Sequence, residues 1–409
     1  MKKVLTKVIN PVRILMNDSR FTGMMLIACT AISMSLANSD SWAHPYKQLW
    51  NYTFLHTSSF PLPSSFLSWI NNFLMAFFFL VAGMEIKREL VNGELSSFKK
   101  AVLPFGAALG GMTIPALIFI AFNLNTGHLH GWGIPTATDI AFSIGIASLL
   151  GKRIPVGLKI LLMALAIIDD LGAIIVIALF YGGHINFIFL GIAALLYISL
   201  FACNYFKVKA GPLQILLSLS LWYAIFNSGV EASITGVLVA FATPVNMLPK
   251  IEKAIHGYVN FLIIPLFALA NTAILLPDNI ISSLGTTIGL GIIFGLVIGK
   301  PIGIFLFSRI LVACKLASLP RHVAWKQFLG MGTLAGIGFT MSIFTTMLAF
   351  KSAAYQDISK VAILSSVVLS VVISLSYFML ISIRSKSVPA EEISIATEEK
   401  LELELQSSL

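Results

Sequence analysis

Apolar positions in this chain fall in long blocks, for example Ala101–Asn123, Ile160–Phe180, Ile288–Phe307 and Val361–Ile383. Blocks of ~20 residues are what a hydrocarbon core of ~30 Å requires of a helix. Strand-length alternation is absent, so a β-barrel is excluded. In lipid that leaves helices, because each backbone polar group must find its partner within its own segment. The pattern predicts an all-α polytopic membrane protein with twelve spans, at about 21–38, 64–86, 101–123, 132–150, 155–180, 185–203, 212–226, 229–243, 256–276, 286–309, 325–350 and 361–383. Residues 1–20 then form an N-terminal segment, 21–383 the transmembrane domain, and the glutamate-rich 384–409 a solvated tail.

Two spans are interrupted. In the fourth, Gly131-Trp132-Gly133-Ile134-Pro135-Thr136-Ala137-Thr138-Asp139 puts Gly, Pro, Thr and Asp where apolar residues belong. Pro135 also disfavours helix at Ile134. In the eleventh, Gly330, Gly332, Gly336 and Gly338 crowd one stretch. Glycine alone also serves close helix packing. Interrupted spans in both halves of a chain, however, point to a midplane site built by inverted-topology repeats. The segment 39–63, with Tyr46, Trp50, Tyr52, Thr53 and Phe54, reads as an outer loop or a hairpin anchored by aromatic residues.

Charge orients the spans. The formal charge is +9, but only 11% of residues are charged against 57% hydrophobic, where soluble domains carry roughly 25% charged. Basic residues cluster in alternate connections: Lys87, Arg88, Lys99 and Lys100; Lys152 and Arg153; Lys207 and Lys209; Lys250 and Lys253; Lys315 and Arg321. The other connections carry chiefly Lys47, Lys351 and Lys360. That is the positive-inside bias; with an even number of spans it places both termini in the cytoplasm of a bacterial inner membrane. The basic patches meet membrane lipid, not nucleic acid. The basic start, an apolar stretch from Met24 and Ser41-Trp42-Ala43 also resemble a cleavable signal, whose removal would leave eleven spans. An uncleaved first helix is the reading adopted. Cys29, Cys203 and Cys314 show neither metal nor disulfide spacing.

The sharpest chemical feature is Leu165-Ala166-Ile167-Ile168-Asp169-Asp170-Leu171-Gly172, two carboxylates within an apolar span. Each costs about 2.5–3.5 kcal/mol to insert at a helix centre, so such residues face a cavity or a partner. Successive helix positions point ~100° apart, so the two acids can hold different jobs. A buried carboxylate is stabilised by a proton or by a hard cation, and holding neither is costly. Mutual exclusion of the two is cation–proton exchange. Asp139, beside Thr138, suits the N-terminus of a half-helix or direct ion ligation. Lys300, well inside the tenth span, either snorkels to the interface or pairs with an aspartate, and Asp169 is the partner expected. Gly83-Met84-Glu85-Ile86-Lys87-Arg88-Glu89-Leu90 closes the second span as a charged cap or the mouth of an ion funnel, with Glu252 and His256 at the start of the ninth span as titratable companions. His44, His128, His130, His184 and His322 are expected to be solvated, and Glu231 exposed near an outer helix end.

These residues together resemble the NhaA-type bacterial sodium/proton antiporter family, over about residues 11–383. The specific pieces are Gly83–Leu90, Ile134–Phe142, Leu162–Phe180, Ile298–Gly303 and Gly336–Phe344. The resemblance implies a secondary transporter, not an enzyme, without cofactor or organic substrate, working as a homodimer of twelve-helix subunits whose fourth and eleventh helices are unwound and cross. It implies that Asp169 and Asp170 exchange sodium or lithium for protons, with Asp170 the main cation ligand, Asp139 and Thr138 in support and Lys300 paired to Asp169. Glu85, Arg88, Glu89, Glu252 and His256 would form a cytoplasmic pH-response region, and exchange would be electrogenic, driven by protons moving inward. Two positions depart: family members often have His where Glu231 stands, and a histidine can occur where Lys253 stands.

Three rival readings have distinct requirements. An intramembrane aspartyl protease needs two facing aspartates sharing a water, which adjacent Asp169 and Asp170 cannot supply, although Asp139 could. An organic-anion symporter wants more cationic groups at the crossing. A cation channel is disfavoured by Lys300 in its path.

Overall fold

A computed structural model of the chain describes residues 19–53, 61–206, 211–276, 279–320 and 323–386, and every regular element among them is helical. The α-helices of eight or more residues, in chain order, are α1 (Ser19–Ala37), α2 (Ala43–Asn51), α3 (Phe66–Asn92), α4 (Phe98–Asn123), α5 (Ile140–Leu149), α6 (Val156–Phe180), α7 (Phe187–Tyr205), α8 (Pro212–Ser228), α9 (Thr235–Ala242), α10 (Val245–Asn271), α11 (Thr287–Ala313), α12 (Trp325–Ala335), α13 (Phe339–Ala349) and α14 (Ala353–Lys386). Seven of them are long and apolar enough to cross a membrane: α3, α4, α6, α7, α10, α11 and α14. The consecutive pair α12 and α13, bent by 48°, makes an eighth if it counts as one span. This is an integral membrane protein.

The apolar blocks locate the helices to within a few residues, with three informative differences. α10 starts at Val245, well before the expected 256, so Glu252 and His256 lie inside a helix instead of opening one. Its first turns are two-faced: Leu248 is buried and Ile251 and Ile255 half-buried, while Lys250, Lys253 and Ala254 are exposed. α14 starts at Ala353, which draws Lys360, expected in a connection, onto a buried helical position. The segment 39–63, expected to be a loop or hairpin, contains α2, whose Trp50 stacks on Phe66 with ring centroids 5.7 Å apart; its residues 54–60 lie outside the described ones, as do His322, Lys207, Lys209 and the tail beyond 386.

α6 is the most enclosed of the long helices and α7 the least. Around α6, backbones approach closely where side chains are missing. A Cβ on Gly110 of α4 would strike the Gly303 carbonyl of α11, and one on Gly303 would strike that of Gly110. Small residues permit this where lipid offers no hydrophobic drive between helices. Three long helices each contain a π turn: Ile70–Leu74 in α3, Val259–Ile263 in α10 and Gly295–Gly299 in α11. Two of them are followed within two residues by proline, Pro265 and Pro301. Lacking an N–H, each proline leaves a carbonyl of the preceding turn without its ordinary i–4 donor.

Candidate functional site: two crossed chain breaks around buried carboxylates

The fourth predicted span is not a continuous helix. A 3₁₀ run, Leu129–Thr136, gives way to extended backbone at Ala137 (ψ 154°) and Asp139 (ψ 106°) before α5 begins. Pro135 sits inside the 3₁₀ run, so the chain opens after Thr136 and not at Ile134 as proline alone suggested. The second break, Gly336–Gly338, separates α12 from α13. The two breaks cross and exchange hydrogen bonds in a reciprocal pattern. Ser143 Oγ donates to Leu334 O (2.8 Å), and Ser342 Oγ donates to Ile134 O (2.8 Å). The Asp139 amide donates to Ile337 O at 2.7 Å.

Chain breaks in a membrane interior leave helix ends whose N–H and C=O groups need partners. Asp139 serves both helix starts. Its Oδ1 accepts the Phe142 amide (2.9 Å) at the head of α5, and its Oδ2 accepts the Thr340 amide (3.1 Å) and hydroxyl (2.6 Å) at the head of α13. Lys300 serves the opposite charge: its ammonium donates to Thr136 O, where the 3₁₀ run ends. An anion between two helix N-termini and a cation at a C-terminal carbonyl each oppose the local dipole.

Lys300 does not snorkel. It is fully buried, and its Nζ lies 2.9 Å from Asp169 Oδ2. The Thr138 hydroxyl lies 2.6 Å from the same carboxylate oxygen and 2.9 Å from Ala335 O at the end of α12. Its single hydrogen serves one acceptor at a time. Asp170 differs from its neighbour. The Oδ1 of each is buried without a partner, but among the described residues Asp170, unlike Asp169, receives no hydrogen bond at all. It borders a cavity of about 350 Å³ shared with Thr138, Asp139, Thr340, Glu85 and the exposed His256. Two adjacent carboxylates thus have different surroundings: one is held by an ammonium and a hydroxyl, the other faces open space. That space reaches the surface at one end of the bundle.

At that end Arg88 donates twice to Glu252 (2.8 and 3.0 Å) and lies 3.9 Å from Glu85 and 4.0 Å from Glu89. Four of the five expected titratable residues therefore form one cluster. His256 stands apart at the cavity rim, within 3.4 Å of Asn260. Phe79, on α3 between Asn71 and Glu85, packs against Phe344; each is 1% exposed and the ring centroids lie 5.5 Å apart. Glu231, expected to be exposed, is half-buried and borders a separate cavity. His44, His130 and His184 are exposed and His128 half-buried.

Thr340 is the site residue that sequence reasoning missed. A hydroxyl just after the glycine-rich break, mirroring Thr138 beside Asp139, was the available signal. Lys87 was read as part of a charged cap; it donates to Phe241 O at 2.7 Å and to Thr243 O, closing the C-terminal end of α9. Asp139 and Asp170 border one cavity, with the Asp139 carboxylate held by three donors on two helices.

Residues 13–378 match the family described as Na+/H+ antiporter 1. A Flavobacterium johnsoniae protein named Na(+)/H(+) antiporter NhaA 2 is 45% identical over 356 residues, covering 85% of this chain and 87% of its own. Na(+)/H(+) antiporter NhaA 1 of Clostridium beijerinckii is 41% identical over 394 residues, 94% of this chain and 98% of its own. Na(+)/H(+) antiporter NhaA of Citrobacter koseri is 43% identical over 367 residues, 87% and 94%. The chain belongs to the Na+/H+ antiporter 1 family.

Proposed function

We infer that this protein is a secondary antiporter that exports sodium, or lithium, in exchange for protons, with Asp170 as the exchanging carboxylate. The observation that carries this reading is the contrast between Asp170, buried beside a cavity with no protein donor, and Asp169, held by Lys300. A hard cation suits the carboxylate oxygens with Thr138 and backbone oxygens nearby. As the cation leaves Asp170, a proton takes its place, and the reverse, so each excludes the other. Protonated Asp169 would donate to Thr138 Oγ1, which would turn its own hydrogen to Ala335 O. That turn loosens Lys300 from Asp169 and couples the second carboxylate to the cycle.

The reading extends to architecture. Twelve spans arise if α1, the 3₁₀ run with α5, α8, α9 with its preceding turn, and the bent pair all cross. The reciprocal Ser143–Leu334 and Ser342–Ile134 bonds support inverted repeats with two discontinuous helices. The Arg88–Glu252 end then faces the cytoplasm of the bacterial inner membrane, with both termini there, and the lipid-facing protein works as a homodimer. Glu85, Arg88, Glu89, Glu252 and His256 set the pH response at the mouth of the Asp170 cavity. Exchange is electrogenic: one net charge crossing 100 mV contributes ~2.3 kcal/mol, so the membrane potential drives sodium out without a pH gradient.

The decisive experiment is sodium-induced collapse of a pH gradient in everted vesicles, scanned over pH, for wild type and Asp170→Asn. Sodium- or lithium-dependent proton flux in the wild type, absent from the mutant at every pH, is the expected result. A wild type correctly inserted and silent to both cations at all pH values would overturn the reading.

A further inference from the structure

Glu231 takes no part in the site above. It follows Gly229, which has a left-handed backbone (φ 85°), and caps the turn leading into α9. Its Oε1 accepts only the Ser233 amide, at 3.5 Å, and no basic side chain lies within ion-pair distance of it among the described residues. It borders a cavity of about 230 Å³ together with Ser65, Ser68, Asn71, Asn72 and Phe344.

The π turn of α3 shapes that cavity. Asn71 and Asn72, adjacent in sequence within that turn, both line the cavity, and Asn72 O accepts Trp222 Nε1 at 2.9 Å. π turns inside α-helices recur at functional sites. The Asn72 amide nitrogen is spent on Ser68 O (2.9 Å) and Ser68 Oγ (3.2 Å), while Asn72 Oδ1 accepts no hydrogen bond among the described residues. The cavity therefore offers one uncompensated carboxylate, a free amide oxygen and serine hydroxyls. That is oxygen ligation of net negative charge, which suits a hard monovalent cation and repels an anion.

Its position matters. Asn71 and Glu85 lie on one helix, fourteen residues apart, so the two cavities open about 21 Å from each other along α3. Between them stand Phe79 and Phe344, and Phe344 also borders the Glu231 cavity. We propose that Glu231, with Asn72 and Ser68, forms a second alkali-cation station on the far side of the Phe79–Phe344 barrier. It holds the sodium or lithium ion entering or leaving at the end of the bundle opposite Glu85. The proposal rests on the antiport reading, because it needs a chain that moves such cations.

The test presents sodium to each face of the full-length protein in turn, using right-side-out and everted vesicles, and reads half-maximal concentrations of the pH-gradient response. Removing a charged ligand should raise the half-maximal sodium concentration roughly tenfold at the face where Glu231 opens in Glu231→Gln. At the Glu85 face the shift should stay within about twofold, and Glu231→Asp, which keeps the charge, should recover most of the loss. A purely structural role would move both faces together. Equal shifts at both faces, or none at either, overturn the second station while leaving antiport standing. A wild type without sodium response from either face overturns both.

Discussion

Lys300 and Asp169 form one energetic unit if the geometry is right, and a double-mutant cycle measures it. Lys300→Met keeps the length of the stem but removes the ammonium that touches Asp169 Oδ2 at 2.9 Å and also satisfies Thr136 O. Both side chains are fully buried, so solvent cannot take over either role. Removing one partner of a buried pair costs about 3–5 kcal/mol, because an uncompensated charge remains. Here the Thr138 hydroxyl at 2.6 Å is the one donor left to the Oδ2 of Asp169, which places Lys300→Met within that range and not above it. Asp169→Asn costs a similar amount for the mirror reason. The double variant leaves no buried charge in the pair, and the amide oxygen that Asp169→Asn introduces can still accept from Thr138. Its cost should fall to about 1–3 kcal/mol, mostly the unsatisfied Thr136 carbonyl. The coupling is then about 3 kcal/mol or more, since independent sites would add to within about 0.5 kcal/mol. Equilibrium unfolding of the four proteins in mixed detergent micelles, followed by tryptophan fluorescence, gives the four free energies. A double variant that costs the sum of the singles would refute the pairing.

Two further perturbations address the crossing. Thr340→Val removes the 2.6 Å hydroxyl donor to Asp139 but keeps the shape, and should cost about 1.5–3 kcal/mol in the same unfolding assay, with Thr340→Ser near wild type; a loss unchanged in an Asp139→Asn background would show that the bond to the carboxylate is not its source. Tyr181, just beyond α6, donates to His130 O (2.7 Å) and accepts from Gly133 N (3.1 Å), and burial pushes its hydroxyl from 10.0 up to about 12. The folded state thus favours neutral Tyr181: its contribution is whole below pH ~10 and is lost as pH rises toward ~12, where the unfolded chain has already ionised. Thermal midpoints scanned over pH should fall less steeply above pH ~10 in Tyr181→Phe than in wild type, and parallel curves would refute the assignment.

What the sequence disclosed, and what it hid, follows from the range of the interactions involved. Asp169 and Asp170 stand out because two charges in an apolar block carry their cost wherever the block is placed. Asp139 was legible for a similar local reason, since an acid directly before an apolar run is an N-cap in any fold. That it caps a second helix is not local: the other donor is Thr340, 201 residues away, and only the crossing brings it there. The start of α10 was misplaced because Lys250, Glu252 and Lys253 resemble a connection when taken singly; their apolar neighbours Leu248, Ile251 and Ile255 face α3, which a linear reading does not supply. Glu231 was misjudged in the same way. Gly229-Val230-Glu231 looks like an exposed turn, and it is the α3 π turn and Phe344 that enclose it. The error has a direction. Local patterns reveal which charges are expensive, whereas enclosure by distant segments decides which inexpensive-looking charges are also buried. Helix breaks join the two levels, because each exposes backbone groups that must be met by side chains from the other break. That requirement makes the Asp139, Thr138, Lys300 and Thr340 contacts interdependent, so moving one half-helix disturbs the oxygens around Asp170. An ion held at Asp170, as proposed, would therefore be linked to rearrangement of the crossing through shared hydrogen bonds.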